Sequence, residues 1–266
     1  GKGLGRHADG LMDDMVVGTD MRTLINDGFL TDYRIYAPPS DLNLDGVDIS
    51  KTTGDYNPNQ VKKRTQKAHI LGDVVAHYIK LAMGKLGITF AIDVEEATTI
   101  AGQFNAAGVP AEVVSAKTHD RVRVEILERL KRREILQVVN VDLFGEGVDI
   151  PAIEVCSFAR PTESYGLYVQ QFGRALRILE GKPVAIIIDH VGNVMRHGLP
   201  DAPRVWTLDR RAKKSELTGE QSLKVCVECT APYARYLVAC PFCGHYDEPA
   251  GRSKPEFVDG DLTELT

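Results

Sequence analysis

From residue 88 to residue 188 the chain alternates short apolar runs with longer stretches whose apolar positions recur every three or four residues. The runs at 88–92, 112–115, 136–141, 155–158 and 184–188 read as strands. The intervening stretches at 95–107 and 119–132, and the one carrying 170–177, read as helices, with Thr118 as the candidate cap of the second. Strand alternating with helix at this period predicts a parallel sheet covered on both faces. The 184–188 run is apolar throughout, as a strand buried on both sides would be.

Upstream, Thr19 is placed to cap a short helix over 20–27, and Gly28 is free to end it in the left-handed conformation. Residues 33–37 alternate like a strand and stop at Pro38 and Pro39. The stretch 40–59, rich in Asp, Asn, Gly and Pro, reads as a surface loop, and 61–83 as one helix. Asp189, His190, Asn193, Arg196 and His197 follow the last strand and read as ordinary loop polarity. A polar, basic connector runs from 199 to 221 around Trp206, and the tail from Pro249 is acidic.

At 266 residues, 43% hydrophobic and 26% charged, the chain has the make-up of a globular protein with room for a full core and a small appendage. No apolar run approaches membrane-spanning length, so no membrane partner is expected and the cytoplasm is the expected location. The formal net charge of -5 gives no global support for a nucleic-acid partner. Three local basic clusters, at Lys62, Lys63, Arg64 and Lys67, at Lys131, Arg132 and Arg133, and at Arg210, Arg211, Lys213 and Lys214, read first as solvated faces.

Cysteine usage changes the picture more than charge does. Cys226-Val-Glu-Cys229 and Cys240-Pro-Phe-Cys243-Gly244 are two pairs separated by ten residues. Two such pairs supply four soft ligands that can close a tetrahedral zinc site. In a chain without a secretion signal, thiols stay reduced and the pattern favours metal over disulfides. Cys156 stands apart in an apolar run and reads as a buried small hydrophobe.

The most informative stretch is NVDLFGEGVDIPAIEVCSFARPTESYGLYVQQFGRALR, Asn140 to Arg177. Its first half puts Gly145, Glu146, Gly147 and Asp149 in a loop directly after a strand, where open α/β sheets build ligand sites. Its second half spaces Gln170, Gly173, Arg174 and Arg177 so that Gln170, Arg174 and Arg177 share one face of a helix. A guanidinium fork suits a phosphate whose charge grows in a transition state.

GEGVDIP followed by QQFGRALR resembles motifs V and VI of superfamily 2 helicases, in the branch shared with restriction-enzyme motor subunits and phage helicases. The resemblance runs from about residue 1 to about residue 200 and implies a RecA-like α/β fold, the second of two motor domains. It implies ATP and Mg²⁺ in a cleft shared with a missing N-terminal RecA-like domain, and nucleic acid, DNA in preference to RNA, as the partner. Gly147 and Asp149 would line the sugar side of that cleft. Arg174 and Arg177 would act as arginine fingers on the γ-phosphate, with Gly173 beside them and Gln170 as a tuning contact between domains. Val141 departs from the family pattern, standing where many relatives carry a threonine that touches the nucleic-acid backbone; Asn140 is the neighbouring polar candidate.

No G-x-x-x-x-G-K-[ST] and no acidic Mg²⁺ motif occur in the sequence, so the chain by itself is expected to be half of an ATPase. The expected organisation is a connecting segment over 1–45, a RecA-like domain over 46–200, a linker over 201–222, a zinc ribbon over 223–248 and a tail over 249–266. The alternative from a different class is a non-catalytic α/β scaffold that presents the ribbon to DNA or to a protein.

Overall fold

Mostly apolar runs form the middle of the structure, as burial on both faces requires, with Thr89, Gln137, Asn140 and Ser157 buried among them. The computed structural model describes residues 14–38, 42–50, 54–65, 70–141, 152–204, 206 and 222–246. In chain order its elements are α1 (Met21–Asn26), β1 (Tyr33–Tyr36), α2 (Pro58–Thr65), α3 (Ile70–Ala82), β2 (Gly87–Phe90), α4 (Val94–Ala106), β3 (Ala111–Ser115) and α5 (Asp120–Lys131). There follow β4 (Gln137–Val141), β5 (Val155–Phe158), α6 (Tyr165–Leu176), β6 (Ala185–Asp189), α7 (Asn193–His197), β7 (Leu223–Val225) and β8 (Pro232–Ala234).

Six strands make one parallel sheet in the order β1-β6-β5-β2-β4-β3, and β7 and β8 make a separate antiparallel hairpin. Every residue of β2, β4, β5 and β6 is buried. Right-handed crossovers send α3 and α4 to one face of the sheet and α5 and α6 to the other. Packing agrees: Tyr78 of α3 meets Phe104 of α4 edge-on at 5.4 Å, while Tyr168 and Phe172 of α6 meet Phe158 and Tyr33 of the sheet at 5.7 and 5.0 Å. This is the three-layer α/β fold with a parallel central sheet that the alternation predicts. β1 lies within 1–45, the segment assigned to a connection, and pairs with β6 over four residues, so the sheet begins upstream of residue 46.

Several local expectations are corrected. Asp20, not Thr19, caps α1, its side chain accepting from the Thr23 amide at 3.0 Å. His119 caps α5 through the Arg121 amide, because Thr118 Oγ1 is already taken by the Ser115 amide at 3.0 Å. Of the helix expected over 61–83, the described residues are helical as α2 to Thr65 and as α3 from Ile70, and 66–69 lie outside the described residues. Asp189 belongs to β6 and residues 193–197 form α7, so the polar group read as a loop is structured, and all of it except Arg196 is buried.

Candidate functional site

α6 begins at Ser164, whose hydroxyl accepts from the Leu167 amide, and drives Tyr168, Gln171, Phe172, Ala175 and Leu176 into the core. At 100° per residue, Gln170, Gly173 and Arg174 fall on the opposite flank, where all three are half-buried. A side chain built at Gly173 would meet no described atom within 4 Å, so nothing within the described fold demands glycine there. A glycine in a helix interior costs roughly 0.5–1 kcal/mol relative to alanine.

Arg177 is where the helix ends. It is the C-cap, with extended φ -59° and ψ 137°, one residue past the last helical turn. The reason lies outside the helix. The Lys182 ammonium, 8% exposed, donates to the carbonyls of Ala175 at 2.8 Å, Ile153 at 3.1 Å and Arg177, while the Thr31 amide takes Leu176 O at 2.8 Å. Carbonyls that an added helical turn would have used are thereby satisfied by a lysine and a neighbouring segment. Burial pulls the Lys182 amine down to about 8, with nearby Glu154 opposing.

Gly147 and Asp149 lie outside the described residues, as does the rest of 142–151. Asn140 and Val141 are both buried at the end of β4. Asn140 Oδ1 has no hydrogen-bond partner among the described residues. The second basic cluster, and Lys62 of the first, are neutralised locally. Lys62 pairs with Asp93 and Glu95 at 2.7 and 2.6 Å; Lys131 pairs with Glu128, Arg132 with Glu134, and Arg133 with Glu154. The third cluster lies outside the described residues.

The entry to α6 holds residues that the hydropathy pattern did not single out. Asp55, from the expected surface loop, is buried against the turn formed by Arg160 to Ser164. Asn193 and His197 grip the same turn from α7. The local signal that could have pointed there is Pro161-Thr162-Glu163-Ser164, a turn and cap sequence directly before the helix.

The four cysteines come together. Their sulfurs lie within 4.8 Å of one another, with Cys226 to Cys243 and Cys229 to Cys240 both at 3.6 Å. Sulfurs held about 2.3 Å from a tetrahedral zinc stand about 3.8 Å apart, so the donor set fits such an ion. The two knuckles repeat one backbone pattern. Thr230 N donates to Cys226 O and Gly244 N to Cys240 O, while Cys226 N donates to Ala231 O and Cys240 N to His245 O. Thr230 and Gly244 both take positive φ, 56° and 75°. Burial works against ionising Cys226, yet the Cys229 and Glu228 amides outweigh it and bring the thiol down to about 7. Cys229 is pushed up to about 12 by burial and the neighbouring thiols. One thiolate forms readily and resists a second beside it, until a cation is present. Cys156, fully buried in β5, sits with its sulfur 3.8 Å from Gln171 O, as a small hydrophobe should.

Residues 66–179 match the family model described as "Helicase conserved C-terminal domain". A 51.5 kDa protein of a Lactococcus phage is 36% identical over 238 residues, 88% of this chain and 51% of its own length. UvrABC system protein B of Kosmotoga olearia is 26% identical over 182 residues, 66% of this chain and 26% of its own. The chain thus spans about half of the first relative and about a quarter of the second. Among solved structures, the "ATP-dependent Type ISP restriction-modification enzyme LlaBIII bound to DNA" aligns with a TM-score of 0.45 at 19% identity, over 65% of this chain and 13% of that one. No helix among the described residues is long and apolar enough to cross a membrane.

Proposed function

We propose, from the premise that residues 66–179 are a helicase conserved C-terminal domain, that the chain is the C-terminal part of an ATP-dependent nucleic-acid helicase or translocase. Its α6 supplies arginine fingers to an ATP site shared with an N-terminal RecA-like domain. The observation that carries this reading is the flank of α6: Gln170 and Arg174 stand one turn apart, facing away from the core, with Gly173 open between them.

In this reading Arg174 meets the γ-phosphate with a bidentate fork, and Arg177 approaches it from the extended residue beyond the helix. Gly147 and Asp149 line the sugar side, and Gln170 reports closure between the two domains. Gly173 leaves room for the facing surface to come near. Mg²⁺, held by the N-terminal domain with ATP, supplies charge neutralisation on the phosphates. The four cysteines hold a structural Zn²⁺ that keeps the ribbon folded. DNA meets the sheet domain chiefly through its backbone, so affinity falls with salt and varies little with sequence. Closing on ATP and opening after hydrolysis shifts the population between two domain arrangements, because the γ-phosphate contacts exist only in the closed one.

The test restores the N-terminal half and compares Arg174→Ala with wild type for ATP affinity, DNA-stimulated turnover and thermal stability. An arginine finger contributes roughly 10³–10⁵ in rate, so turnover is expected to collapse while ATP binding changes little. Arg174→Lys should recover little, since an ammonium cannot reproduce the fork. Near-normal turnover, or a loss only in proportion to lost folding, would make the arginine structural and remove the reading's main support.

A further inference from the structure

We propose that Asp55 is a positioning residue for α6: it clamps the turn that launches the helix and so sets where the Gln170 and Arg174 flank points. Its catalytic consequence rests on the motor reading above; its structural consequence does not.

The Asp55 carboxylate is 6% exposed and is met from one side by a single short turn. Thr162 Oγ1 donates to its Oδ1 at 3.0 Å and the Glu163 amide donates to the same oxygen at 2.6 Å, while Arg160 Nη2 lies 3.3 Å from Oδ2. Thr162 Oγ1 also accepts from the amide of Ser164, the N-cap itself, at 3.0 Å. From the opposite side, Asn193 Oδ1 accepts from the Thr162 amide and Asn193 Nδ2 donates to Arg160 O, both at 3.0 Å. His197 Nε2 donates to Thr162 O at 2.9 Å. Thr162 and Asn193 are 1% and 0% exposed, so this is a satisfied polar network in the interior. Such networks specify one geometry, because any alternative leaves a desolvated group without a partner.

Asp55 is itself firmly placed. Ile49 and Tyr56 form an antiparallel bridge, the Asn57 amide donates to Asp48 O at 2.8 Å, and Asp48 and Gln60 exchange two hydrogen bonds of 2.7 Å. The segment therefore fastens to α2, and through Asp55 to the two residues before the α6 cap. This grip fixes the turn from which α6 starts, alongside the core packing of Tyr168 and Phe172 that seats its inner face. Arg174 lies ten residues on, so a small rotation at Ser164 swings its guanidinium sideways. A misplacement of about 1 Å at a reacting group costs up to about 10²-fold in rate.

Two variants test this. Asp55→Asn keeps an acceptor but removes the charge facing Arg160; Thr162→Val keeps the volume and removes the hydroxyl that links Asp55 to Ser164. In the full-length protein each should lower turnover about 10- to 100-fold with ATP affinity changed less than about threefold. In an Arg174→Ala background the same changes should cost less than about threefold more, because the loss acts through Arg174. Equal losses in both backgrounds, or normal turnover in a wild-type background, would overturn the proposal.

A second readout needs no ATPase, so it survives failure of the motor reading. On the 266-residue chain, hydrogen exchange at the amides of 164–168 should speed at least about tenfold in both variants, as local opening does, while 155–158 and 185–189 stay protected. Unchanged exchange at 164–168, or uniform loss across the sheet, would overturn the clamp.

Discussion

Glu96 offers a quantitative check on the packing between β2 and α4. It stands in the first turn of α4, where the helix dipole favours a carboxylate, and its Oε2 accepts from the Ile92 amide at 3.0 Å. Burial nevertheless wins: desolvation raises the carboxyl from 4.5 to about 7, against the Ile92 amide and Lys62, with Asp93 adding repulsion. Its Oε1 is buried without a partner among the described residues. Because the folded pKa lies above the unfolded one, the folded chain holds a proton that the unfolded chain has lost between pH 4.5 and about 7. The stability this confers is complete below 4.5 and is lost as pH rises through 7. The difference, about 7 minus 4.5, is roughly 2.5 pH units, or about 3 kcal/mol at most. Glu96→Gln should therefore match wild type within about 0.5 kcal/mol near pH 4.5 and exceed it by up to about 3 kcal/mol at pH 8. His190 shapes the curves of both proteins, since burial, then His77, holds its pKa down to about 3. Its folded pKa is depressed, so it makes stability rise with pH from about 3 to 6.5, partly cancelling the Glu96 slope. The difference between variant and wild type removes that contribution. Urea unfolding of both proteins at pH 5 and pH 8 reads it directly, and an equal difference at the two pH values would refute the buried-acid argument.

Two further outcomes are expected. Lys182→Met strips the donor from the Ala175, Ile153 and Arg177 carbonyls; at about 1–3 kcal/mol per stranded acceptor, less the recovered cost of burying an ammonium, it should destabilise by about 2–4 kcal/mol in denaturant. A loss under about 1 kcal/mol would mean that water replaces the lysine. Protein purified without chelator should carry one zinc by elemental analysis, and stripping it should unfold residues 222–246 while the six-stranded sheet keeps its circular dichroism. Structural zinc supplies roughly 10–16 kcal/mol, beyond what so small a hairpin gains from its own core. A disulfide-bonded, metal-free ribbon that stays folded would end the zinc assignment.

The sheet was legible because its strands are buried on both faces, and a run such as Ala185–Asp189, walled by Ile186 to Ile188, has few other places to go. The cysteine quartet was legible for a similar reason: paired spacing brings ligands together locally, and only the meeting of the two pairs is long-range. What the pattern missed was set by contacts between distant residues. The end of α6 depends on Lys182 reaching back to Ala175, and nothing between residues 170 and 177 announces it. Caps fell one residue away, at Asp20 beside Thr19 and His119 beside Thr118, because adjacent side chains of similar capacity compete and the tertiary surroundings choose. Asp55, Asn193 and His197 look like loop residues, since hydropathy records what a side chain prefers in isolation and not whether partners await it.

The ribbon is tied to the sheet more closely than a linker and a hairpin suggest. Leu223, the first residue of β7, is 5% exposed and packs with the main core and not with Cys226, Tyr233 and Cys240. The amide of Ala37, directly beyond edge strand β1, donates to Thr230 O at 2.8 Å. Thr230 is a β-branched residue with φ 56°, a conformation that costs about 1–2 kcal/mol outside glycine. The second knuckle spends a glycine, Gly244, at the equivalent position. The first keeps its side chain, and the carbonyl it presents is the one that the Ala37 amide, just past β1, binds. The first knuckle therefore presents the acceptor for Ala37, so the cysteine cluster and the edge of the sheet are placed together.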